Sequence, residues 1–419
     1  MSNCLVMLTK RYPYGIGEEF IENELPVVAR EFDRVILIAT SVSGPAVPTR
    51  AVPGNVEPHA VDAGRIRRSV PFAALGPALA PPKEAYGPAE RAAVAHSPLR
   101  RLFFAYFAAK GRAVAKAAAA VLAGAGFSRG DRVVFYSYWL YDTAAAAVGL
   151  REACRAGQTR AVSRAHRYDL YPSKNPLGYL PMRPYLLKNL DAVFPCSTDG
   201  ARLLRQTCPE YAGKVRTAYL GTRDFGAGPQ NRGGAFHIVS CCHIAPVKRV
   251  DLLARSLARL AGDGLALKWT HFGAGDGLEE LKQYAAQNLG FMKCRFAGEV
   301  KNRELMDFYA KTPVDCFVNT SSSEGLPVSI MEACSFGIPV LATDVGGTSE
   351  IVREGKNGFL LKPDFAPGEL AQRIRELIRM PQSEKQALSQ LSYTPILVAV
   401  FPIHLLKISF TRPSKLNND

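Results

Sequence analysis

From Phe236 to Val318 the chain alternates strand-like runs with helical stretches: Phe236–Cys242, Leu252–Ala261, Leu265–Phe272, Leu278–Leu289, Arg295–Ala297, Arg303–Ala310 and Val314–Val318. Short, mostly apolar runs suit strands buried on both faces, and the stretches between them carry helical periodicity. Strand, helix, strand, repeated without hairpin turns, forces a parallel sheet covered on both sides, because parallel neighbours need a crossover between them. Open sheets of this kind bind ligands beyond the carboxyl ends of their strands.

The stretch Ser321–Val340, SSSEGLPVSIMEACSFGIPV, lies at such an end. Small polar residues from Thr320 to Ser323 close the strand Val314–Val318, and Pro327 suits the first position of a helix. Val328 to Phe336 continue that helix, Gly337 ends it and Pro339 keeps it ended. The free N–H groups of Val328 and Ser329, with the positive end of the helix dipole, form an anion site. Glu324 precedes the helix and Glu332 lies inside it, with seven residues between them. That separation excludes a shared-proton pair on one helical face. It suits a ligand whose hydroxyls flank a diphosphate, such as a nucleotide sugar.

Lys248 follows the first strand of this half and Gly273-Ala274-Gly275 follows the second, at the same sheet edge as Glu324. A cation and backbone N–H groups thus converge where a diphosphate would sit. Glu324-x7-Glu332, the following GIPVLATDVGGTSEIVREGKNGFLL, and the earlier FAGEV, HFGAG and HIAPVKRVDLL together resemble glycosyltransferase family 4. The resemblance runs from about Phe236 through the second half. It implies an α/β fold of two Rossmann-like domains facing across a cleft (GT-B) and a retaining, nucleotide-sugar-dependent hexosyltransferase.

It also implies roles. Glu324 would hold donor-sugar hydroxyls with the backbone of Gly325 and Leu326, and Glu332 would bind the ribose. Lys248, Gly273, Gly275, Val300 and the Val328 and Ser329 amides would line the diphosphate and nucleotide side. The acceptor would attack from the face on which the leaving group departs, so no enzyme nucleophile is named. Two features depart from the family pattern. His243 stands where an arginine is usual, five residues before Lys248, and the tail after Ser392 carries Pro395 and Pro402, which forbid one long final helix.

The first half is read from its own residues. Leu5–Thr9 is a strand, Gly15 and Gly17 form a loop by which donor or acceptor approaches the backbone, and Phe20, Leu25 and Val28 stripe a helix. Asp33–Thr40 is the next strand. The third glycine of a dinucleotide fingerprint is absent and Phe20 takes its place, which argues against NAD. Val42 to Ala95 reads as an irregular insertion rich in Ala, Pro, Gly and Arg. Leu99–Leu122 is a long basic helix with Phe103, Phe104, Tyr106 and Phe107 interleaved, able to lie on anionic lipid or to pack in a core. Strands follow at Val133–Tyr138, Ala161–Ser163, Val193–Cys196 and Val215–Tyr219, with a helix at Thr143–Ala153. His166 and Asp169 fall on the loop after the second of these strands. Family members carry a histidine in a similar loop that touches the donor sugar, and the resemblance assigns that role to His166.

The expected domains are 1–220, acceptor-binding; 221–235, a glycine-rich linker and hinge; 236–392, nucleotide-sugar-binding; and 393–419, an atypical tail. A length of 419 residues suffices for two or three cores. Nine scattered cysteines without a C-x-x-C pair fit reduced thiols and exclude a disulfide framework or zinc site. No signal peptide opens the chain, and no apolar run reaches the roughly 18 residues that span a bilayer. A cytoplasmic location follows as an expectation. The net charge of +15 asks for an anionic partner. Without a zinc finger or RNP-like aromatic signature, nucleic acid is set aside and an anionic membrane face favoured. No Asp-x-Asp occurs, so metal-independent transfer with no cofactor is expected, from a UDP- or GDP-sugar to a lipid-linked or oligosaccharide acceptor. The resemblance places this in bacterial surface polysaccharide assembly. Two rivals share the pattern: a nucleotide-sugar epimerase, and a non-catalytic nucleotide-sugar-binding protein.

Overall fold

The computed structural model describes residues 2–44, 46–79, 85–175 and 177–393. The chain divides into two compact units, the first running to Tyr219 and the second beginning at Leu220. The tail from Thr394 onward, including Pro395 and Pro402, lies outside the described residues.

The first unit is a six-stranded parallel sheet in the order β3-β2-β1-β4-β5-β6. Its strands are β1 (Asn3–Thr9), β2 (Arg34–Val42), β3 (Val56–Asp62), β4 (Arg132–Ser137), β5 (Gln158–Ala165) and β6 (Ala192–Pro195). The inner strands are nearly all apolar because both faces are covered. One face packs on helices Pro98–Leu122 and Asp142–Ala153 through Phe104, Phe107, Phe135 and Val148. The other packs on helix Ile21–Ala29 through Leu5, Met7, Leu25, Val28 and Tyr136. Leu25 and Val28 are fully buried as the helical stripe predicts, whereas Phe20 precedes the helix as its N-cap.

Two sequence expectations need correcting here. The segment 42–95 is no irregular insertion. It supplies edge strand β3 and helices Ala63–Leu79 and Pro88–Val94. Pro58 and the polar residues around it hide β3 from a pattern search, and they are tolerated because the strand lies at the sheet edge. Val215–Tyr219 is not a strand. It runs beside β6 through one isolated bridge, Val193 to Val215, and N–H groups of Arg216 and Ala218 donating to the Val193 and Pro195 carbonyls, without forming a strand. The basic helix Pro98–Leu122 spends Phe104 and Phe107 on the core, leaving Leu99 and Leu102 as its exposed large apolar residues.

The second unit repeats the topology: order β12-β11-β10-β7-β8-β9, all parallel. The strands are β7 (Phe236–Cys241), β8 (Leu267–Phe272), β9 (Lys293–Phe296), β10 (Cys316–Asn319), β11 (Val340–Thr343) and β12 (Gly358–Leu361). In both sheets the first strand sits centrally with the fourth beside it, so strand order reverses between β1 and β4 and again between β7 and β10. Such switch points open a crevice at the carboxyl ends of the strands. Trp269, Leu253, Leu257, Leu370 and Ile374 fill the second core, and Leu388 of a last helix, Gln382–Ser392, completes it. Residues 220–235 form no regular element. They are nonetheless fastened to this unit: the Gly228 N–H donates to the Phe336 carbonyl at 2.9 Å, and the Phe225 ring stacks on Phe336.

Candidate functional site

The second unit gathers its polar side chains at the switch between β7 and β10. Lys248 ends the loop after β7, and Glu324 stands in the loop after β10. Their side chains meet, Nζ donating to Oε1 at 2.6 Å. The Asn319 amide donates to the same oxygen at 3.3 Å. Glu324 is 8% exposed, so the pair is screened little by solvent and the two charges hold each other in place. The loops carrying them are tied by Arg249, whose guanidinium donates to the carbonyls of Thr320 at 2.7 Å and Pro363 at 2.6 Å.

Helix Val328–Ser335 opens behind Glu324, with Pro327 as its N-cap, one position earlier than expected. Its first internal bonds run from the Ile330 and Met331 N–H groups to the Pro327 carbonyl. The amides of Val328 and Ser329 come before those bonds, in the first turn whose N–H groups have no partner within the helix. Glu332, also buried, accepts from the Asn302 amide at 2.6 Å. It lies within electrostatic reach of Cys241 and of the buried Tyr309 hydroxyl, whose pKa burial raises first and Cys241 and Glu332 raise further.

Gly273 and Gly275 have a different role from the one expected of Gly273. Its N–H donates to the Gly298 carbonyl at 2.8 Å and is not available to a diphosphate. What both glycines supply is close approach. A Cβ on Gly273 would lie 1.9 Å from the Cys242 carbonyl oxygen, and one on Gly275 2.3 Å from that of Ile244. Gly346 does the same behind Glu324, where a Cβ would fall 2.0 Å from its carbonyl oxygen. Leu326 is buried beneath the loop and the Gly325 carbonyl accepts from the Gly347 N–H. Val300 is half-buried in the loop after β9, and His243 is exposed after β7, not folded into the sheet. Asn302, Asn319, Arg249 and Gly346 escaped the sequence reading. The Gly-Gly of DVGGTSE was the one available signal.

In the first unit the loops after β1, β4 and β5 meet at the other switch point. His166 is buried, with its ring 4.8 Å from that of Trp139 and 5.2 Å from that of Tyr138. Its Nε2 has no hydrogen-bond partner. Burial first, and the Arg164 charge second, push its pKa down to about 3, so the imidazole is neutral. Asp169 follows β5, where the sequence places it. It is fully buried, and its oxygens accept the N–H groups of His166 at 2.5 Å and Leu140 at 2.6 Å, bracing the loop. Burial raises its pKa to about 6 against the lowering effect of those bonds. Gly15 and Gly17 both have positive φ, and open space surrounds each. Glu18 closes the loop, its carboxylate accepting the N–H groups of Lys10, Arg11 and Tyr12 and the Trp139 indole N–H.

Two Rossmann-like sheets in one chain, each with its polar groups at the switch point, define a GT-B protein. Solved structures agree over both units: sucrose-phosphate synthase from Thermosynechococcus elongatus superposes on 96% of this chain and 96% of its own, with a TM-score of 0.68 at 16% identity. HepE from Anabaena, crystallised with UDP, covers 97% of each chain with a TM-score of 0.61 at 15% identity. Residues 228–391 match the model of the group 1 glycosyl transferases. The O-antigen biosynthesis glycosyltransferase WbnH of Escherichia coli is 38% identical over 118 residues, which span 27% of this chain and 30% of that relative's own length.

Proposed function

We propose that the chain transfers a hexosyl group from a nucleotide sugar to a glycan or lipid-linked acceptor, with retention of configuration, in bacterial surface polysaccharide assembly. The observation that carries this is the Lys248–Glu324 pair beside the open amino end of helix Val328–Ser335. A diphosphate takes the cation and the amides, a sugar ring offers hydroxyls to the released carboxylate, and Glu332, set by Asn302, receives the ribose. Stabilising charge on the departing diphosphate is the main catalytic contribution of this arrangement. The first unit supplies the acceptor side with the Gly15–Gly17 loop, and His166 keeps the donor-sugar role that the resemblance implies for it. A UDP donor is favoured by the UDP in the HepE crystals, and the polysaccharide setting by the name of WbnH. The net charge of +15 suits peripheral contact with an anionic membrane; among the described residues no helix is long and apolar enough to cross one.

Thermal denaturation with UDP-, GDP- and ADP-sugars tests the donor, since a bound ligand raises stability by mass action. A rise in Tm with UDP-sugars, followed by transfer to a lipid-linked oligosaccharide mixture with an unchanged anomeric configuration by NMR, is the expected result. Release of free UDP and epimerised sugar without acceptor would assign an epimerase instead.

A further inference from the structure

At the switch point of the first unit one cation has no carboxylate at ion-pair distance among the described residues. Lys10 directly follows β1, and its Nζ lies 4.6 Å from the ring centre of Trp139, 5.0 Å from Tyr168 and 5.8 Å from Tyr141. No carboxylate among the described residues pairs with it. Asp169 is within electrostatic reach, but its oxygens are occupied by the Leu140 and His166 amides. Glu18, on the far side of the same turn, is occupied by three backbone N–H groups and the Trp139 indole. The ammonium group is therefore held against aromatic faces, which attract it, with the nearby carboxylate oxygens bound to other donors and none bound to its Nζ.

Three further observations mark the place as a ligand site. It lies at the carboxyl ends of β1, β4 and β5, where the strand order reverses. The Nε2 of His166, against the Trp139 ring, is buried without a partner. Tyr168 is 41% exposed, so the outer wall of the cage is open to solvent. We infer that Lys10 is the anion-recognising residue of an acceptor subsite in the first unit, and that the acceptor is a sugar bearing or joined to a phosphoryl or carboxylate group. The inference rests on the transferase reading for the word acceptor, but the anion site itself does not.

The rings supply the readout. Trp139 is one of two tryptophans in the chain, and the other, Trp269, is fully buried in the second unit. The full chain is titrated with glucose 6-phosphate, glucuronate and neutral glucose while tryptophan emission is followed. A saturable change with at least one anionic probe and none with glucose is expected. A stronger response to glucose 6-phosphate assigns the phosphoryl group, and a stronger one to glucuronate the carboxylate. Lys10→Met keeps an apolar stem on the rings and should weaken the response about tenfold or more. Lys10→Arg should restore it. An unchanged response in Lys10→Met, or no response in the wild type, overturns the inference. A full emission response in a protein that transfers no sugar would instead overturn the transferase reading and leave the anion site standing.

Discussion

Lys248 and Glu324 lie 76 positions apart, yet one hydrogen bond decides how either will respond to substitution. Removing one partner of a buried pair leaves the other charge uncompensated, so single variants overstate what each residue contributes. Glu324→Gln and Lys248→Met are each expected to weaken UDP-sugar binding, and the double variant to lose less than the sum. A coupling on the order of 1–3 kcal/mol by calorimetry is the expected value. Additive losses would show that the pair does not persist in the working site. His166 gives a second prediction. Its folded pKa of about 3 lies below the ordinary histidine value of 6.5, so the unfolded chain takes up a proton first as pH falls. Stability is therefore lost from pH 6.5 down towards 3. Asp169 works in the opposite direction between about 6 and its ordinary 3.8, where the folded state is the one that takes up a proton. His166→Gln removes the first effect and keeps the second. The variant's Tm should thus gain on the wild type's as pH falls from 7 to 4.5, and parallel curves would mean that the imidazole is protonated in the folded protein.

Among the elements, helix Val328–Ser335 was legible because its signals are local: small polar residues, a proline, an apolar run, a glycine. On the proposed function, its open amino end and Lys248 would supply the positive charge a departing diphosphate needs. Transfer is accordingly expected to persist in chelator-treated protein, and activity lost to chelator and regained with Mn²⁺ would refute this. Strand β3 was not legible, because Pro58 and its polar neighbours are permitted by an edge position that only the sheet reveals. The Lys248–Glu324 bond, the Asn302–Glu332 bond and the Glu18 clamp join residues far apart in sequence or in different elements, and no periodicity encodes such meetings. The two amides that bind the Asp169 carboxylate are hidden from the sequence for the same reason.

At the scale of the molecule, sequence pattern was enough for two doubly wound sheets, because a long alternation of strand and helix admits few other folds. The second core closes with Leu388, with the Ser392 hydroxyl donating to the Asn357 carbonyl at 3.0 Å and the Tyr393 hydroxyl to Asp224 at 2.8 Å. A chain stopped after Tyr393 is expected to remain folded and to bind a UDP-sugar, as circular dichroism and calorimetry would show. Insolubility of that shorter chain alone would place later residues in the core. The linker has a mechanical consequence of its own. Its Gly228 and Phe225 are pinned to Phe336, the C-cap of the 8-residue helix whose other end faces the diphosphate position. That helix is a stiff strut of about 12 Å. The segment 225–228 is thus fastened to one end of that strut, and any displacement of it would load the helix along its own axis.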